Sequence, residues 1–247
     1  MDNTTSIILS RMITASRTVD VIANNIANVS TPGYEATHLQ SAAWIDRMRG
    51  VDAPPGGSTL SYTQAVGTWR DTAPGAVHQT GNPLDLALPG GGYFTVQTAN
   101  GPRLTRDGRF GLLPNGTIAN ASGDALLDPG GQPITVPPQS GSLTIAADGT
   151  ISTAQGIIGQ VGVVTVADPQ GLNAEGGNLF QTTTPPIPDA APNIVQGALE
   201  GSNVQPILEI TKMMQASQNF RMIAQFITAE QSRSQSAISK ILGATTS

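Results

Sequence analysis

The stretch ANNIANVSTPGY, residues 23–34, ends an N-terminal segment whose apolar residues follow a coiled-coil spacing. Pro32 disfavours helical geometry in the residue before it and Gly33 permits a turn, so we expect the helix to end near residues 28–30. Upstream, apolar residues alternate four and three positions apart, as in a heptad seam. They are Ile8, Met12, Ala15, Val19, Ile22, Ile26 and Val29. This pattern predicts a long helix that needs a partner.

Three asparagines, Asn24, Asn25 and Asn28, lie in the last turns of this predicted helix. Asparagine is a poor interior helix residue because its short amide competes for nearby backbone groups. The three amides could cap a frayed helix end, or they could hydrogen-bond to neighbouring subunits in a packed assembly. The residues alone leave both interpretations open.

A second heptad pattern occupies the C-terminal part of the chain. Ser202 and Asn203 form a helix-cap signal, and Pro206 is tolerated in a first helical turn because the N–H it lacks would have no partner there. One such helix would be expected to lie on a globular core, whereas two that bracket a helix-poor middle favour pairing with each other and with copies of the chain. The seam positions are Ile210, Met213, Ser217, Phe220, Ala224, Ile227, Gln231, Ser234, Ile238 and Ile241.

The middle of the chain, from about Gly81, has the pattern of short β-strands. Asn-Gly and Asp-Gly pairs supply the positive φ angles that tight hairpins require. Val161–Asp168 is predicted to be a buried strand, and Gln181–Asn193 is predicted to be an extended connection because its four prolines exclude regular helix and central strand. The predicted hairpin turns are Asn100-Gly101, Asp107-Gly108, Asn115-Gly116 and Asp148-Gly149.

Together these patterns predict an α+β fold. Its mainly-β central module, a short-strand meander or barrel-like arrangement, is flanked by N- and C-terminal coiled-coil helices that pair. The predicted segments are 1–34 for the N-terminal heptad helix and its Asn-rich motif, 35–80 for an extended or loop connection, 81–180 for the β-rich module, 181–200 for a Pro-rich return segment and 201–247 for the C-terminal coiled-coil helix. Residues 35–49 are ambiguous between helix and strand, and residues 50–59 are predicted to be a loop.

Composition argues against several functional classes. Charged residues make up 12% of the chain, and the net charge of −5 argues against nucleic-acid binding, which needs clustered Lys and Arg. The chain has no cysteine for disulfides or thiolate chemistry. No apolar run approaches the roughly 20 residues that span a bilayer, so direct membrane insertion is not expected. The N-terminal residues lack the pattern of a cleavable secretory signal.

Side chains that could carry out catalysis are scattered. His38 and His78 are isolated, which favours surface or packing roles over metal ligation. Arg106 and Arg109 flank a predicted hairpin turn and could form ion pairs between subunits, but a solvated turn is the default expectation. Four aspartates next to or near glycine are expected to form local turn hydrogen bonds rather than a calcium site. These are Asp107, Asp124, Asp128 and Asp148. We therefore expect no enzymatic activity, no cofactor and no small-molecule substrate.

Four segments together resemble the flagellar basal-body rod and hook family, and most of all its proximal-rod members. Their order, spacing and full-length coverage match that family, and the combination is far more specific than any one segment. The segments are ANNIANVSTPGY at residues 23–34, GNPLDLALPGGGYFTVQT at residues 81–98, LTRDGRF at residues 104–110 and LEGSNVQPILEITKMMQASQNF at residues 199–220.

The resemblance implies a structural subunit of the rod, the drive shaft that crosses the periplasm and transmits motor torque to the hook. It also implies export as an unfolded chain through the flagellar type III apparatus. The terminal helices would become ordered on assembly with other rod subunits and with copies of the same chain. The predicted assembly interface comprises Ile8, Met12, Val19, Ile22, Asn24, Asn25, Ile26, Asn28, Val29, Pro32, Gly33, Leu199, Gly201, Asn203, Ile210, Met213, Phe220 and Ile227.

Other identities stay open at this stage. A distal-rod or hook paralogue would share the same chain ends, and a non-flagellar periplasmic or surface binding module could use the β meander as a recognition face. An enzyme, such as a cell-wall hydrolase, would need a catalytic carboxylate in a cleft, and the sequence nominates none.

Overall fold

The computed structural model describes residues 2–47, 59–138 and 140–244. The fold is α+β, with one helix at each end of the chain and a mainly-β region of several sheets between them. The chain forms two compact units. The helical unit comprises Met1–Ile26, Thr37–Trp69 and Gln205–Ser247, and the β unit comprises Ala27–Ala36 and Arg70–Val204.

Proline marks the end of the first helix and the start of the second. Helix α1 spans Asp2–Ala27, which confirms the predicted end near residues 28–30. Helix α2 spans Pro206–Ala244 and begins at its proline as predicted. Glu209 lies in the first turn of α2, where a carboxylate is favoured by the positive end of the helix dipole.

The helical unit also contains a two-stranded β ribbon. Strand β1 spans Thr37–Arg47 and pairs with β2, Thr59–Arg70, whose last residue belongs to the β unit. The segment that was ambiguous between helix and strand is therefore mostly strand. The loop predicted at residues 50–59 lies outside the described residues, apart from Thr59 at the start of β2.

The β unit is built from short antiparallel strands. One nine-stranded sheet has the order β14-β15-β6-β5-β9-β8-β7, with β13 paired to β5 and β16 paired to β13. Separate sheets are formed by β10-β11-β12, by β17 with β4, and by β18 with β3. The bounds are β3 (Val77–Gln79), β4 (Leu86–Ala87), β5 (Tyr93–Thr98), β6 (Gly101–Thr105), β7 (Phe110–Leu112), β8 (Ile118–Asn120), β9 (Ala125–Leu126), β10 (Thr144–Ile145), β11 (Thr150–Thr153), β12 (Gly156–Gln160), β13 (Val163–Thr165), β14 (Asn173–Gly176), β15 (Leu179–Gln181), β16 (Ile187–Pro188), β17 (Val195–Gln196) and β18 (Ala198–Glu200).

Strand β5 divides the interior of the β unit. Successive strand residues point to opposite faces, so Phe94 and Val96 pack into the main hydrophobic core while Tyr93 packs into a second, smaller one. The Phe94 ring meets the Phe110 ring edge-on, with 5.5 Å between the ring centroids. The main core comprises Leu86, Leu88, Phe94, Val96, Phe110, Ile118, Leu126, Ile134, Val136, Ile145, Ile151, Val161, Val163 and Ile194.

Three of the predicted hairpin turns are confirmed. Asn100-Gly101 joins β5 to β6, Asn115-Gly116 joins β7 to β8, and Asp148-Gly149 joins β10 to β11. Each of these glycines has a positive φ angle, between 84° and 100°. Glycine therefore supplies the backbone conformation that these turns need.

The hairpin predicted at Asp107-Gly108 is wrong. Strand β6 pairs with β5 and β15, whereas β7 pairs with β8. Gly108 instead accepts a hydrogen bond from the Leu86 N–H (2.9 Å), and a Cβ atom on Gly108 would lie 1.6 Å from the Leu86 carbonyl oxygen. This glycine allows two backbones to approach each other.

The buried strand predicted at Val161–Asp168 is shorter than expected. Only Val163–Thr165 form β13. The N–H groups of Val161 and Gly162 donate to the carbonyls of Gly149 and Leu127, outside the pairing of β13 with its neighbours.

Gly108→Ala tests the close approach to Leu86. The added methyl group must displace backbone, and we expect a loss of about 3 kcal/mol in unfolding free energy, at the upper end for overpacking. Urea denaturation followed by far-UV circular dichroism measures it. Gly111→Ala is the matched control, because a Cβ there meets nothing within 4 Å. Equal losses in the two variants would contradict the explanation.

Candidate assembly site at the chain ends

Asn25 lies near the C-terminal end of α1 and is fully buried within the helical unit. Its side-chain oxygen accepts from the Thr37 N–H (2.9 Å), and its amide nitrogen donates to the Thr37 carbonyl (2.8 Å) and to the Glu209 carboxylate (3.2 Å). Both donor hydrogens of the amide are thus used within the chain. The asparagine joins α1 to β1 and to the first turn of α2.

Glu209 is a buried carboxylate that its neighbours compensate. Besides the Asn25 amide, it accepts from the Lys212 ammonium at 2.6 Å. A buried carboxylate without such partners would be strongly destabilising. The pairing explains why a glutamate is tolerated on the inner face of α2.

The other two asparagines have different surroundings. Asn24 is exposed. Asn28 follows α1 in the β unit, where its side-chain oxygen accepts from the Thr31 hydroxyl (3.2 Å) and its carbonyl accepts from the Thr31 N–H (3.1 Å). Asn28 therefore takes part in the turn that follows the helix. The prediction that Asn24 and Asn28 contact neighbouring subunits stays a prediction.

The Pro-Gly end of the motif is buried in the β unit. The Pro32 carbonyl accepts from the Asn178 amide (2.8 Å), and the Gly33 N–H donates to the Glu200 carbonyl (2.9 Å). Gly33 has a φ of 64°, and a Cβ atom there would lie 2.4 Å from the Arg106 backbone. Only glycine fits this position without displacing backbone.

Arg106 is buried, so the prediction of a solvated turn is wrong for this residue. Only 5% of its side chain and 4% of the Glu200 side chain are exposed. The guanidinium donates to the Glu200 carboxylate at 2.8 and 3.1 Å and to the carbonyls of Gly90 (2.9 Å) and Gly92 (3.0 Å). A guanidinium can be buried when its donors are satisfied in this way.

A second buried pair joins Glu35 to Arg70 at 2.6 Å. The Tyr93 hydroxyl also donates to the Glu35 carboxylate (3.0 Å), and the Arg70 guanidinium lies 4.4 Å from the centre of the Phe180 ring and donates to the Pro169 carbonyl. Burial raises the pKa of Glu35, an effect that the positive charge of Arg70 partly opposes. Burial and the nearby Glu35 carboxylate raise the pKa of Tyr93 to about 12.

Asn203 connects three backbone segments of the β unit. Its side-chain oxygen accepts from the Ala36 N–H (2.7 Å), while its amide nitrogen donates to the carbonyls of Asp71 (2.7 Å) and Ala73 (2.9 Å). Its own N–H donates to the Tyr34 carbonyl (3.3 Å). The predicted cap residue thus holds the chain together just before α2.

Leu199 and Gly201 also take part in intrachain packing. Leu199 is buried in β18, and the Gly201 N–H donates to the Ala76 carbonyl (2.8 Å). These two residues belong to the predicted interface, and their role in assembly stays a prediction.

In α1, the predicted seam faces the interior of the helical unit. Ile8 and Ile22 are buried, and Met12, Val19 and Ile26 are half-buried. Val29, which follows the helix in the β unit, is half-buried as well. Leu9 and Ile13 lie on the other side of α1 and are exposed.

In α2, the predicted seam is half-buried at Met213, Phe220 and Ile227, but Ile210 and Gln231 are exposed. The side chains of Ser234, Ile238 and Ile241 lie outside those described. Several large apolar side chains on another face of α2 are exposed to solvent. They are Ile207, Leu208, Met214, Met222 and Phe226.

Helices α1 and α2 lie side by side within the helical unit. Asn25, near the C-terminal end of α1, donates to Glu209 in the first turn of α2. Arg11, nearer the start of α1, and Ile223, in the middle of α2, line the same cleft of about 400 Å³. The two helices therefore run antiparallel. A larger cleft of about 440 Å³ is lined by residues of both helices and of β1, His38 among them.

The side chains considered for catalysis lie in packing, surface and turn positions. His38 packs its ring 4.6 Å from the Trp69 ring, while His78 is exposed in β3. The predicted turn bonds of the four aspartates are confirmed, each carboxylate accepting from a group two or four residues away. Among residues 2–47, 59–138 and 140–244, no group of three metal-binding side chains occurs, and no helix is long and apolar enough to cross a membrane.

Three family models match the chain, each at a region described above. The model for the flagella basal body rod protein matches residues 7–34, which include most of α1 and Gly33. The model for the D1 domain of the flagellar hook proteins FlgE/F/G matches residues 87–153, which include Arg106. The model for the C-terminal region of the flagellar basal body rod FlgEFG proteins matches residues 195–240, which include Glu200 and Asn203.

Similar proteins cover almost the whole chain. The flagellar basal-body rod protein FlgF of Caulobacter vibrioides is 37% identical over 95% of this chain and 96% of its own length. The chain belongs to the flagellar basal-body rod family. FlgF of Mesorhizobium japonicum is 33% identical over 98% and 99% of the two chains, and the rod protein FlgG of Bacillus subtilis is 32% identical over 85% and 88%. As an FlgF-like member of this family, the chain is a structural subunit of the flagellar rod.

Sequence reasoning missed the buried ion pairs of this rod subunit. Arg106 and Glu200 were included in quoted motifs but were not predicted to meet, because they are 94 residues apart. The sequence did contain a signal for an internal ion pair. In a chain with only 12% charged residues, a charge inside a glycine-rich or apolar motif is unusual enough to suggest an internal partner.

Asn25→Ala tests the intrachain role of the asparagine motif. The substitution leaves the Thr37 backbone and part of the Glu209 carboxylate without their partner, and we expect unfolding free energy to fall by about 2 kcal/mol. The measurement is urea unfolding followed at the helical circular dichroism band. Asn24→Ala is the neighbouring control and should change stability by less than about 0.5 kcal/mol, as is usual at an exposed position. An effect of the same size at both positions would argue against the intrachain role.

Glu35→Gln tests the effect of burying a carboxylate beside Arg70. Because the pKa of Glu35 is raised above 4.5, the folded chain binds this proton more tightly than the unfolded chain. The resulting stability is fully present below pH 4.5 and is lost as the pH rises through the folded-state pKa. The difference in unfolding free energy, wild type minus variant, should therefore decrease as the pH rises above 4.5. Urea titrations across this range measure it, and a difference that stays constant or grows would refute the assignment.

Proposed function

We propose that this rod subunit occupies the proximal rod and assembles through α1 and α2, with copies of itself and with other rod subunits, into the periplasmic drive shaft that transmits motor torque to the hook. The observation that carries the proposal is the second apolar face of α2. The helix already packs with one face inside its own chain, and the other face remains available for a partner.

The two faces of α2 are distinct. Ala216 is buried and Phe220 is half-buried on the inner face. Met214, Met222 and Phe226 have spacings of eight and four residues, which place them on the opposite side, and they are 55%, 59% and 55% exposed. A helix that is apolar on both sides is normally buried on both sides.

Helix α1 provides a smaller apolar surface of the same kind. Leu9 and Ile13 are four residues apart, so they lie on one face, and they are 53% and 47% exposed. Contiguous exposed apolar surface on a soluble protein marks an interaction site. Coiled-coil packing of these faces with neighbouring subunits would bury them along the length of the rod.

Shared helical packing also suits the transmission of torque. Lengthwise contacts between many subunits distribute the load over many interfaces, so no single contact has to be strong. Export as an unfolded chain through the flagellar type III apparatus completes the proposal, because the helices gain their full packing only after delivery.

A paralogous position in the rod is the second candidate. The proteins named FlgG match at 29–32% identity over 83–85% of this chain, a coverage that is lower than that of two FlgF relatives. Mass spectrometry of purified hook-basal bodies distinguishes the candidates by the copy number of this chain relative to its paralogues. A low copy number supports the proximal position.

The triple variant Met214→Ala, Met222→Ala and Phe226→Ala tests the outer face of α2. It removes exposed apolar surface and leaves the inner face intact, so the purified chain should keep its helical circular dichroism. Incorporation into hook-basal bodies, measured in a strain that lacks the native gene, should fall at least about tenfold, which corresponds to the loss of about 1.4 kcal/mol of association free energy.

The matched control is Gln215→Ala, Gln218→Ala and Gln225→Ala. It removes three exposed polar side chains from the same helix and should support normal swimming in soft agar. Normal incorporation of the apolar triple variant would show that the outer face is not the assembly surface, and an equal defect in the glutamine variant would show that the effect does not come from its apolar side chains.

A further inference from the structure

Two segments of the β unit that flank the terminal helices are held against each other. Residues 28–36 follow α1, and residues 198–204 precede α2. The Gly33 N–H donates to the Glu200 carbonyl, the Asn203 N–H donates to the Tyr34 carbonyl, and the Asn203 side chain accepts from the Ala36 N–H. Although these residues are far apart in the sequence, they form one contact surface, which we call the clasp. It consists of Gly33, Tyr34, Ala36, Arg106, Glu200 and Asn203.

Arg106 touches both segments of the clasp in different ways. Its backbone packs so closely on Gly33 that no Cβ fits between them. Its guanidinium binds the Glu200 carboxylate, and the remaining donors reach the carbonyls of Gly90 and Gly92 in the loop before β5. One residue at the end of β6 thereby ties the two segments to the central sheet.

All of these contacts join residues of the β unit. Because Glu200 and Arg106 are almost completely buried, breaking the pair would leave an uncompensated charge inside the protein, which is strongly destabilising. The Glu200 carboxylate also accepts from the Gly75 N–H (3.0 Å), so a third backbone segment is anchored at the same point. The backbone contacts of the clasp are therefore coupled to a single buried ion pair.

We propose that Arg106 is a positioning residue for assembly, which keeps both segments of the clasp fixed on the β unit whether or not the terminal helices are folded. The chain leaves the β unit at fixed points before α1 and α2 have found partners. Fixing these points lowers the conformational entropy that the helices lose when they pack into an assembly, which is the general benefit of preorganisation. This inference concerns the unassembled subunit and goes beyond the proposed rod function.

Amide hydrogen exchange of the intact, unassembled chain tests the proposal. In the wild-type protein, the amides of Gly33, Ala36 and Asn203 should exchange as slowly as those of β5 and β6, and more slowly than the amides in the middle of α2. Equal exchange in the clasp and in α2 would overturn the proposal, because the segments would then open together with the helices.

Arg106→Leu should open the clasp selectively. We expect exchange at Gly33, Ala36 and Asn203 to accelerate about tenfold or more, because the hydrogen bonds of a buried charged group are lost. Exchange in β11 and β12 should stay within about twofold of wild type, because that sheet lies outside the clasp. A merely structural role of Arg106 would instead accelerate exchange in every sheet, and that result would contradict the proposal.

Arg103→Leu is the matched control. Arg103 lies in β6 and pairs with Glu175 in β14 at 2.6 Å, so it is another arginine–glutamate pair of the same strand region. Its loss should leave exchange in the clasp within about twofold of wild type. Arg106→Lys keeps the charge but loses the fork of donors, so it should restore only part of the protection. Clasp protection that survives Arg106→Leu, or that is lost equally in Arg103→Leu, would overturn the assignment.

The same variants also separate this inference from the proposed rod function. If exchange responds as expected but Arg106→Leu enters hook-basal bodies normally, the clasp exists without a positioning role, and the proposal fails in that respect alone. The assembly surface on α2 would be unaffected by that result, since it is tested by different residues.

Discussion

The β unit depends on the burial of charge pairs in a chain that has few charges to use. Arg106 and Glu200, with Arg70 and Glu35, bring together segments that the sequence separates widely. Burying a charge is costly, and the cost is offset only when every donor and acceptor finds a partner at once. This requirement restricts the possible arrangements of the chain more than apolar contacts do, because an apolar contact needs no particular donor or acceptor. The glycines around these pairs allow the close backbone approach that this arrangement needs.

Asn25, near the end of α1, and Asn203, just before α2, make their hydrogen bonds in different units. Asn25 satisfies the Thr37 backbone and the Glu209 carboxylate in the helical unit, while Asn203 satisfies three backbone groups in the β unit. In both cases the side-chain amide hydrogen-bonds to backbone groups as a neighbouring strand would, because it carries both a donor and an acceptor. Both asparagines thus hold segments of the same subunit together, and the proposed assembly instead rests on the exposed apolar faces of the helices.

The sequence was most informative where a residue acts through its own backbone. Pro32 and Pro206 locate the helix ends correctly, and the positive φ angles of Gly101, Gly116 and Gly149 make three hairpin turns predictable. Prediction from the sequence failed where a residue contacts a partner that is distant along the chain. Gly108 looks like a turn glycine but makes room for Leu86, and Arg106 looks like a surface arginine but finds Glu200 94 residues later. The heptad pattern falls on the buried side of α1 and on that of part of α2, yet it gave no indication that α2 has a second apolar face.

The contact between Ala36 and Asn203 spans 167 residues. A native structure closed by such a long-range contact has a high contact order, and the large loop must be closed before the contact can contribute stability. While the chain is being delivered end first, from the ribosome or through any narrow channel, the β unit cannot be completed until both distant segments have emerged. The topology itself therefore postpones the last step of folding.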